Sequence, residues 1–124
     1  LPGLRISFHG ADQAFEHGRM IWREDERRIY ALYDDNTWAD YEDTFDSSAD
    51  SVIVDLQPPA GLQEPAFGLG KVWREQPGVR DRLGWAMERE QAYQGASQRF
   101  AWGQKHWAKE SVYLLRDDGT WSVE

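Results

Sequence analysis

The chain has 124 residues, 40% of them hydrophobic and seven of them tryptophan, and its net charge is −8. This size predicts a single domain over residues 1–124. The acidic charge argues against nucleic acid as a partner, because a phosphate backbone is neutralised by a basic surface. The lack of cysteine excludes disulfides and thiolate sites, and no apolar run approaches the ~18 residues of a membrane span.

Residues 18–42 have the pattern of a three-stranded antiparallel meander. Residues 19–22 and 28–33 are rich in apolar side chains and predict two strands separated by a charged turn. The following Asp34-Asp35-Asn36 is a turn sequence, since Asp and Asn accept left-handed backbone angles and bond their own chain. Residues 37–41 predict the third strand. This meander belongs to the first copy of a repeat, which we place at residues 11–42.

A segment of different character follows the first copy. The acidic loop over residues 40–50 leaves a weak cation site open, although it lacks the pattern of a calcium loop. Residues 52–54 are β-branched and predict a short strand or an extended stretch. Proline and an apolar stripe then predict helices over residues 65–75 and 78–83, within a helical linker segment at 62–94.

The end of the chain repeats its beginning. A second copy at residues 96–124 has the same order of turns, strands and aromatic residues, with Asp117-Asp118-Gly119 in place of the first turn. Self-similarity of this kind indicates a repeat architecture. We therefore predict an α+β fold in which two internally repeated three-stranded antiparallel β-meanders are related by an approximate two-fold and carry short covering helices. The identical aromatic pairs are Phe15/Phe100, Trp22/Trp107, Tyr30/Tyr113 and Trp38/Trp121.

Aromatic residues present in both copies are predicted to be core, because the fold needs them twice. Aromatic residues without an identical counterpart are freer to bind a ligand, and aromatic side chains are enriched in binding hot spots. Trp102 corresponds to His17 and Tyr33 to Arg116, whereas Trp85 and Tyr93 lie in the linker segment. The predicted ligand-binding residues are therefore Trp102, Trp85, Tyr33 and Tyr93.

No catalytic, metal or cofactor motif stands out. The three histidines have no metal-ligand spacing, and Gly68-Leu69-Gly70 lacks the residues that complete a phosphate-binding loop. We therefore predict no catalytic residue, no metal and no cofactor, and the chain is not expected to be an enzyme. A small hydrolase that uses two carboxylates is a remote alternative.

Residues 83–86 read Leu-Gly-Trp-Ala and are followed by Gln98-Arg99-Phe100, Gly103 and Trp107. This succession resembles the LGFP repeat of bacterial cell-surface proteins, and the likeness spans roughly residues 66–121. Where the family signature has proline, this chain has Ala86. The resemblance implies an extracytoplasmic, non-catalytic module that holds exported proteins to the cell envelope.

The leading functional hypothesis is a non-catalytic extracytoplasmic binding module for a cell-wall or other glycan. The repeat, the aromatic content, the acidic charge and the LGFP resemblance all motivate it. The resemblance also implies an extracellular or envelope-associated location. A protein-interaction, structural or self-associating module is the alternative, and the identity of the ligand and the oligomeric state are left open.

Overall fold

The computed structural model of the protein describes residues 3–124, which form eight β-strands and two short helices. Neither helix has the length or the apolar content of a membrane-spanning segment. In chain order the elements are β1 Ile6–Phe15, β2 Gly18–Arg23, β3 Arg28–Tyr33, β4 Trp38–Glu42, α1 Phe67–Glu75, α2 Val79–Leu83, β5 Gln91–Phe100, β6 Gly103–Trp107, β7 Val112–Arg116 and β8 Trp121–Val123.

All eight strands belong to one antiparallel sheet in the order β4-β3-β2-β1-β5-β6-β7-β8. The sheet curls until the turns beside its two outer strands meet, where Thr37 and Thr120 form a bridge. The backbone N–H groups of Trp38 and Trp121 each donate to a carbonyl in the opposite turn, that of Gly119 and that of Asn36, with N···O distances of 2.9 Å. The result is a nearly closed, barrel-like sheet. Its first half is β1–β4 and its second half is β5–β8.

The predicted fold class, with two separate three-stranded meanders, is therefore wrong. Each half has a fourth, ten-residue strand, and these two strands pair with each other along seven positions from Ile6↔Ser97 to Asp12↔Gln91. Both strands mix polar residues and glycine with apolar ones, so they lack the apolar runs by which strands were recognised elsewhere. Gly10 shows why glycine is needed there, because a Cβ atom would lie 2.5 Å from the carbonyl oxygen of Trp22.

The two helices confirm the predicted helical segments, although α1 begins at Phe67 rather than at residue 65. Both helices cover the outer face of the first half. Trp73 of α1 is fully buried and donates its indole N–H to the Gly84 carbonyl at 2.8 Å. Residues 52–54 form no strand.

The core consists of two clusters on opposite faces of the sheet. The outer cluster lies between the helices and the first half and includes Met20, Ile29 and Trp73. The inner cluster fills the curl of the sheet with residues from both halves, including Tyr30 and Tyr113. Strands β2 and β3 are thus apolar on both sides because both of their faces are covered.

Candidate ligand-binding cleft

The structure places two of the four predicted ligand-binding residues in the core. Tyr93 is 8% exposed inside the curled sheet, with its hydroxyl 2.7 Å from Nε2 of His106. Tyr33 is 3% exposed, and the guanidinium of Arg82 lies 3.5 Å from the centre of its ring. Neither ring presents a free face to solvent.

The other two residues lie at separate places on the surface. Trp85 is half-buried against Trp73, with ring centres 5.4 Å apart, and belongs to the same outer cluster as Tyr33. Trp102 is 40% exposed on the second half and stacks on Phe100 at 5.4 Å and 5°. The structure therefore brings Tyr33 and Trp85 together and leaves Tyr93 and Trp102 apart from them. A binding role for these residues stays a prediction.

A cleft that the sequence did not indicate opens beside the start of α1. It has a volume of about 260 Å³ and combines aromatic rings with two carboxylates. The side chains come from β2, from the loop after β4, from α1 and from the segment before β5. The lining residues are Trp22, Asp43, Phe45, Phe67, Gly68, Leu69 and Glu90.

Phe67 holds an unusual position at the mouth of this cleft. Its φ angle is +53°, a left-handed value that costs a residue with a side chain roughly 1 kcal/mol or more. Its ring is 52% exposed and meets the ring of Phe45 edge-on at 5.7 Å. Its backbone N–H donates to the carbonyl of Val52 at 3.1 Å, which helps to hold the strained residue in place. The fold thus keeps a large apolar ring in solvent at an energetic cost.

Asp43 organises the floor of the cleft. Its carboxylate accepts the indole N–H of Trp22 at 2.9 Å and the backbone N–H of Phe45 at 3.1 Å. Gly68 makes this approach possible, since a Cβ atom there would lie 2.5 Å from Oδ1 of Asp43. The carboxylate also lies near the start of α1, where the helix dipole favours negative charge. Trp22 is therefore oriented by an anion rather than by packing alone.

A second cavity of about 410 Å³ continues the cleft and shares Phe67 and Glu90 with it. Gln13 lines this cavity, is 3% exposed and donates Nε2–H to the carbonyl of Glu88 at 2.9 Å. Its Oε1 atom has no hydrogen-bond partner within residues 3–124. A buried acceptor without a partner costs about 1–3 kcal/mol, so this atom suits a donor supplied by a ligand. The cavity is also lined by Gln63, Glu64, Ala66 and Arg89.

Glu90 stands between the two cavities. The residue is exposed overall, whereas burial around its carboxyl raises the pKa and the charge of Asp43 raises it further. Two carboxylates of different character thus face one aromatic cleft. Such a site can donate and accept hydrogen bonds around a ring stacked on Phe67 or Trp22.

Two further cavities each contain one aromatic ring, and some of their charged groups pair within the protein. In the one of about 630 Å³, Arg28 binds Asp40 at 2.7 Å. In the one of about 350 Å³, Arg19 binds Asp12 at 2.7 Å. Within the described chain, no three His, Cys, Asp or Glu side chains converge as metal ligands would.

Sequence reasoning missed the cleft for two identifiable reasons. Trp22 is duplicated, which predicts a core position, and Phe67 belongs to the apolar stripe that predicts the first helix. The available signal was that the aromatics without an internal counterpart include Phe45 and Phe67. Comparison of the chain with protein-family models, with curated proteins and with solved structures finds no match.

Proposed function

We propose that the protein is a non-catalytic binding module for a glycan, and that the cleft beside Phe67 holds the sugar. The observation that carries the proposal is that one cavity is lined both by Gln13, whose buried Oε1 has no partner within residues 3–124, and by the exposed, strained Phe67. A pyranose offers an apolar face for the ring and hydroxyl groups for the amide. This combination of stacking and directed hydrogen bonds is typical of small polar ligand sites.

The charges of the cleft favour a neutral glycan rich in hydroxyl and amide groups. Asp43 and Glu90 line the two cavities against the single cation of Arg89, while Glu64 is compensated by its ion pair with Arg74 at 3.4 Å. Carboxylates accept hydrogen bonds from sugar hydroxyl and amide N–H groups, but they repel phosphate and uronate. A neutral cell-wall glycan fits better than an acidic wall polymer, and the net charge of −8 acts in the same direction.

The resemblance to the LGFP repeat supports an extracellular or envelope-associated setting for this activity. The Leu-Gly signature at residues 83–86 is one part of this resemblance, which also includes Gln98-Arg99-Phe100, Gly103 and Trp107. The segment after that signature supplies Glu90, and the segment before it supplies Phe67. The Leu-Gly signature therefore lies between two residues that line the cleft, Phe67 and Glu90.

Calorimetric titration with soluble wall fragments and neutral polysaccharides tests the proposal. Phe67→Ala should weaken binding about tenfold, because one ring face contributes roughly 1–2 kcal/mol of apolar contact. The change leaves the backbone strain unaltered, since alanine is also unfavourable at a positive φ. Trp102→Ala is the matched control and should bind like the parent. Affinity should change little with salt, because screening acts on exposed charges.

Three outcomes would contradict the proposal. Absence of saturable binding to any of these glycans would remove it. Loss of binding in Trp102→Ala but not in Phe67→Ala would move the site to the second half. Release of new reducing ends that stops in Glu90→Gln would make the cleft a hydrolase site, since a pair of carboxyl groups can cleave glycosidic bonds.

A further inference from the structure

The outer face of the second half is built like that of the first half, but no helix within residues 3–124 covers it. Five positions on the first half are at most 3% exposed beneath the helices. The equivalent positions on the second half are all partly exposed. The covered set is Phe15, Met20, Ile29, Ala31 and Tyr33, and its uncovered counterpart is Phe100, Lys105, Val112, Leu114 and Arg116.

Equivalent hydrogen bonds in the two halves show where the stretch of chain before each half lies. Gln13 donates Nε2–H to the carbonyl of Glu88 at 2.9 Å, and Gln98 donates Nε2–H to the carbonyl of Gly3 at 3.0 Å. Gln13 and Gln98 occupy the same position in the two copies, so Glu88 and Gly3 are also equivalent. The stretch leading into each half therefore lies on the other half.

On the first half, that stretch continues back into the helical segment. The carbonyls of Leu83 and Trp85 accept from the two amides of the β1–β2 turn at 2.9 and 3.0 Å. The equivalent amides in the β5–β6 turn belong to Ala101 and Trp102. No backbone carbonyl of residues 3–124 accepts from them. The second half therefore has two backbone N–H groups without backbone acceptors beside a partly exposed face, at the place where the helical segment binds the first half.

The charges on this face define what the segment must carry. Lys105 stands where the first half has Met20, and Arg116 stands where it has Tyr33. Lys105 pairs with Glu124 at 2.8 Å, whereas Arg116 makes no ion pair within the described chain. An occupant therefore needs a carboxylate opposite Arg116 as well as an apolar stripe.

We propose that the outer face of the second half is the docking site for a helical segment of a partner protein. That segment has the apolar spacing of residues 65–85, ends in a Leu-Gly turn whose carbonyls accept from Ala101 and Trp102, and presents an acidic residue to Arg116. The inference stands apart from the glycan cleft, which lies on the first half.

A duplicated segment joined to the intact chain provides the probe. Because Gly3 is equivalent to Glu88, a second copy of residues 62–85 joined directly ahead of Leu1 has the register of the first half. Linking raises its effective concentration to the order of millimolar, which compensates for a weak fit. Amide exchange at Ala101 and Trp102 should slow by at least roughly tenfold. The added copy carries Arg82→Glu, because Arg82 lies over Tyr33 on the first half and would otherwise face Arg116, whereas the proposal requires a carboxylate there. Adding Lys105→Met, the residue of the first half, should slow exchange further.

The control is the same joined chain with Leu69→Asp and Trp73→Asp in the added copy only. In this control the amides of Ala101 and Trp102 should exchange as fast as in the parent. Unchanged exchange in the joined chain that carries Lys105→Met would overturn the proposal. Protection of Ala101 and Trp102 in the parent that grows with protein concentration would also overturn it, because the occupant would then be a second copy of this chain.

Discussion

His106 is a buried histidine at the centre of the inner cluster. Its Nε2 lies 2.7 Å from the hydroxyl of Tyr93, and its Nδ1 has no partner within residues 3–124. Burial, together with the positive charge of the nearby Arg23, lowers the pKa of His106 to about 3. In the first half, the equivalent positions hold Ile21 and Phe8. The ring is thus a neutral polar group in a place that an aliphatic side chain can fill.

This histidine should make the protein sensitive to acid. Since its pKa is lower in the folded state, the unfolded chain takes up the proton first. Its contribution to stability is complete above the ordinary value of ~6.5 and is lost as the pH falls towards about 3. The loss should approach ~1.4 kcal/mol per pH unit, measured by urea unfolding between pH 7 and pH 4.5.

The double variant Tyr93→Phe/His106→Ile isolates this effect, because it installs the pair used by the other half. Its free energy of unfolding should fall less steeply with acid than that of the parent. Subtracting the pH dependence of the variant from that of the parent removes the contributions of carboxylates that both proteins share. Asp25 is one of them, since its pKa is lowered in the fold by its hydrogen bond to Arg23. Equal slopes in the two proteins would mean that His106 is not the sensitive group.

At the scale of elements, one side chain orders the long connection between β4 and α1. The carboxylate of Glu64 accepts the backbone N–H groups of Val54 at 2.8 Å and Leu56 at 2.7 Å. It is 3% exposed and lies 3.4 Å from Arg74. These bonds satisfy backbone N–H groups in a stretch that no strand pairs, which helps to hold this part of the connection outside the sheet.

Glu64→Ala should therefore loosen this connection and destabilise the protein by about 2–3 kcal/mol, the usual range for lost hydrogen bonds to a charged group. Limited proteolysis should cut between residues 50 and 60 at least several times faster. Glu75→Ala, at the exposed end of α1, serves as the control and should change neither quantity by much. An intact connection in Glu64→Ala would show that packing alone holds it.

At the scale of the whole molecule, two tryptophans join the outer strands of the sheet. The indole of Trp38 donates to the carbonyl of Arg116 at 2.9 Å, and that of Trp121 donates to the carbonyl of Tyr33 at 2.8 Å. The two hydrogen bonds are equivalent in the two halves of the repeat. They connect positions at opposite ends of the strand order and so hold the sheet nearly closed.

Trp38→Phe and Trp121→Phe should each lower the free energy of unfolding by about 1–2 kcal/mol, because each leaves a carbonyl without its donor. The double variant should depart from additivity, since both bonds act on one closure. Trp107→Phe is the control, because its ring contacts Arg5 on the open outer face and makes no side-chain hydrogen bond within residues 3–124. If the losses of unfolding free energy in Trp38→Phe and Trp121→Phe add in the double variant, and each equals the loss in Trp107→Phe, closure of the sheet does not depend on the two indoles.

Local features of the chain were predictable from the sequence. Turn chemistry located both hairpin turns, and the positive φ angles of Asn36 and Gly119 confirm the reason. Proline, glycine and the apolar stripe located both helices to within two residues. These features are local because a turn or a helix is decided by residues only a few positions apart.

The sequence by itself determined the duplication, the turns, the helices and the strands that are rich in apolar side chains. Only the tertiary structure decided that β1 and β5 pair, that one sheet results, and that the helical segment covers the first half alone. Those outcomes depend on partners far apart in the chain, such as Phe8 opposite Gly95, and no local periodicity encodes such a pairing. The cleft follows from the same cause, because Trp22, Asp43, Phe67 and Glu90 meet only after the sheet has formed.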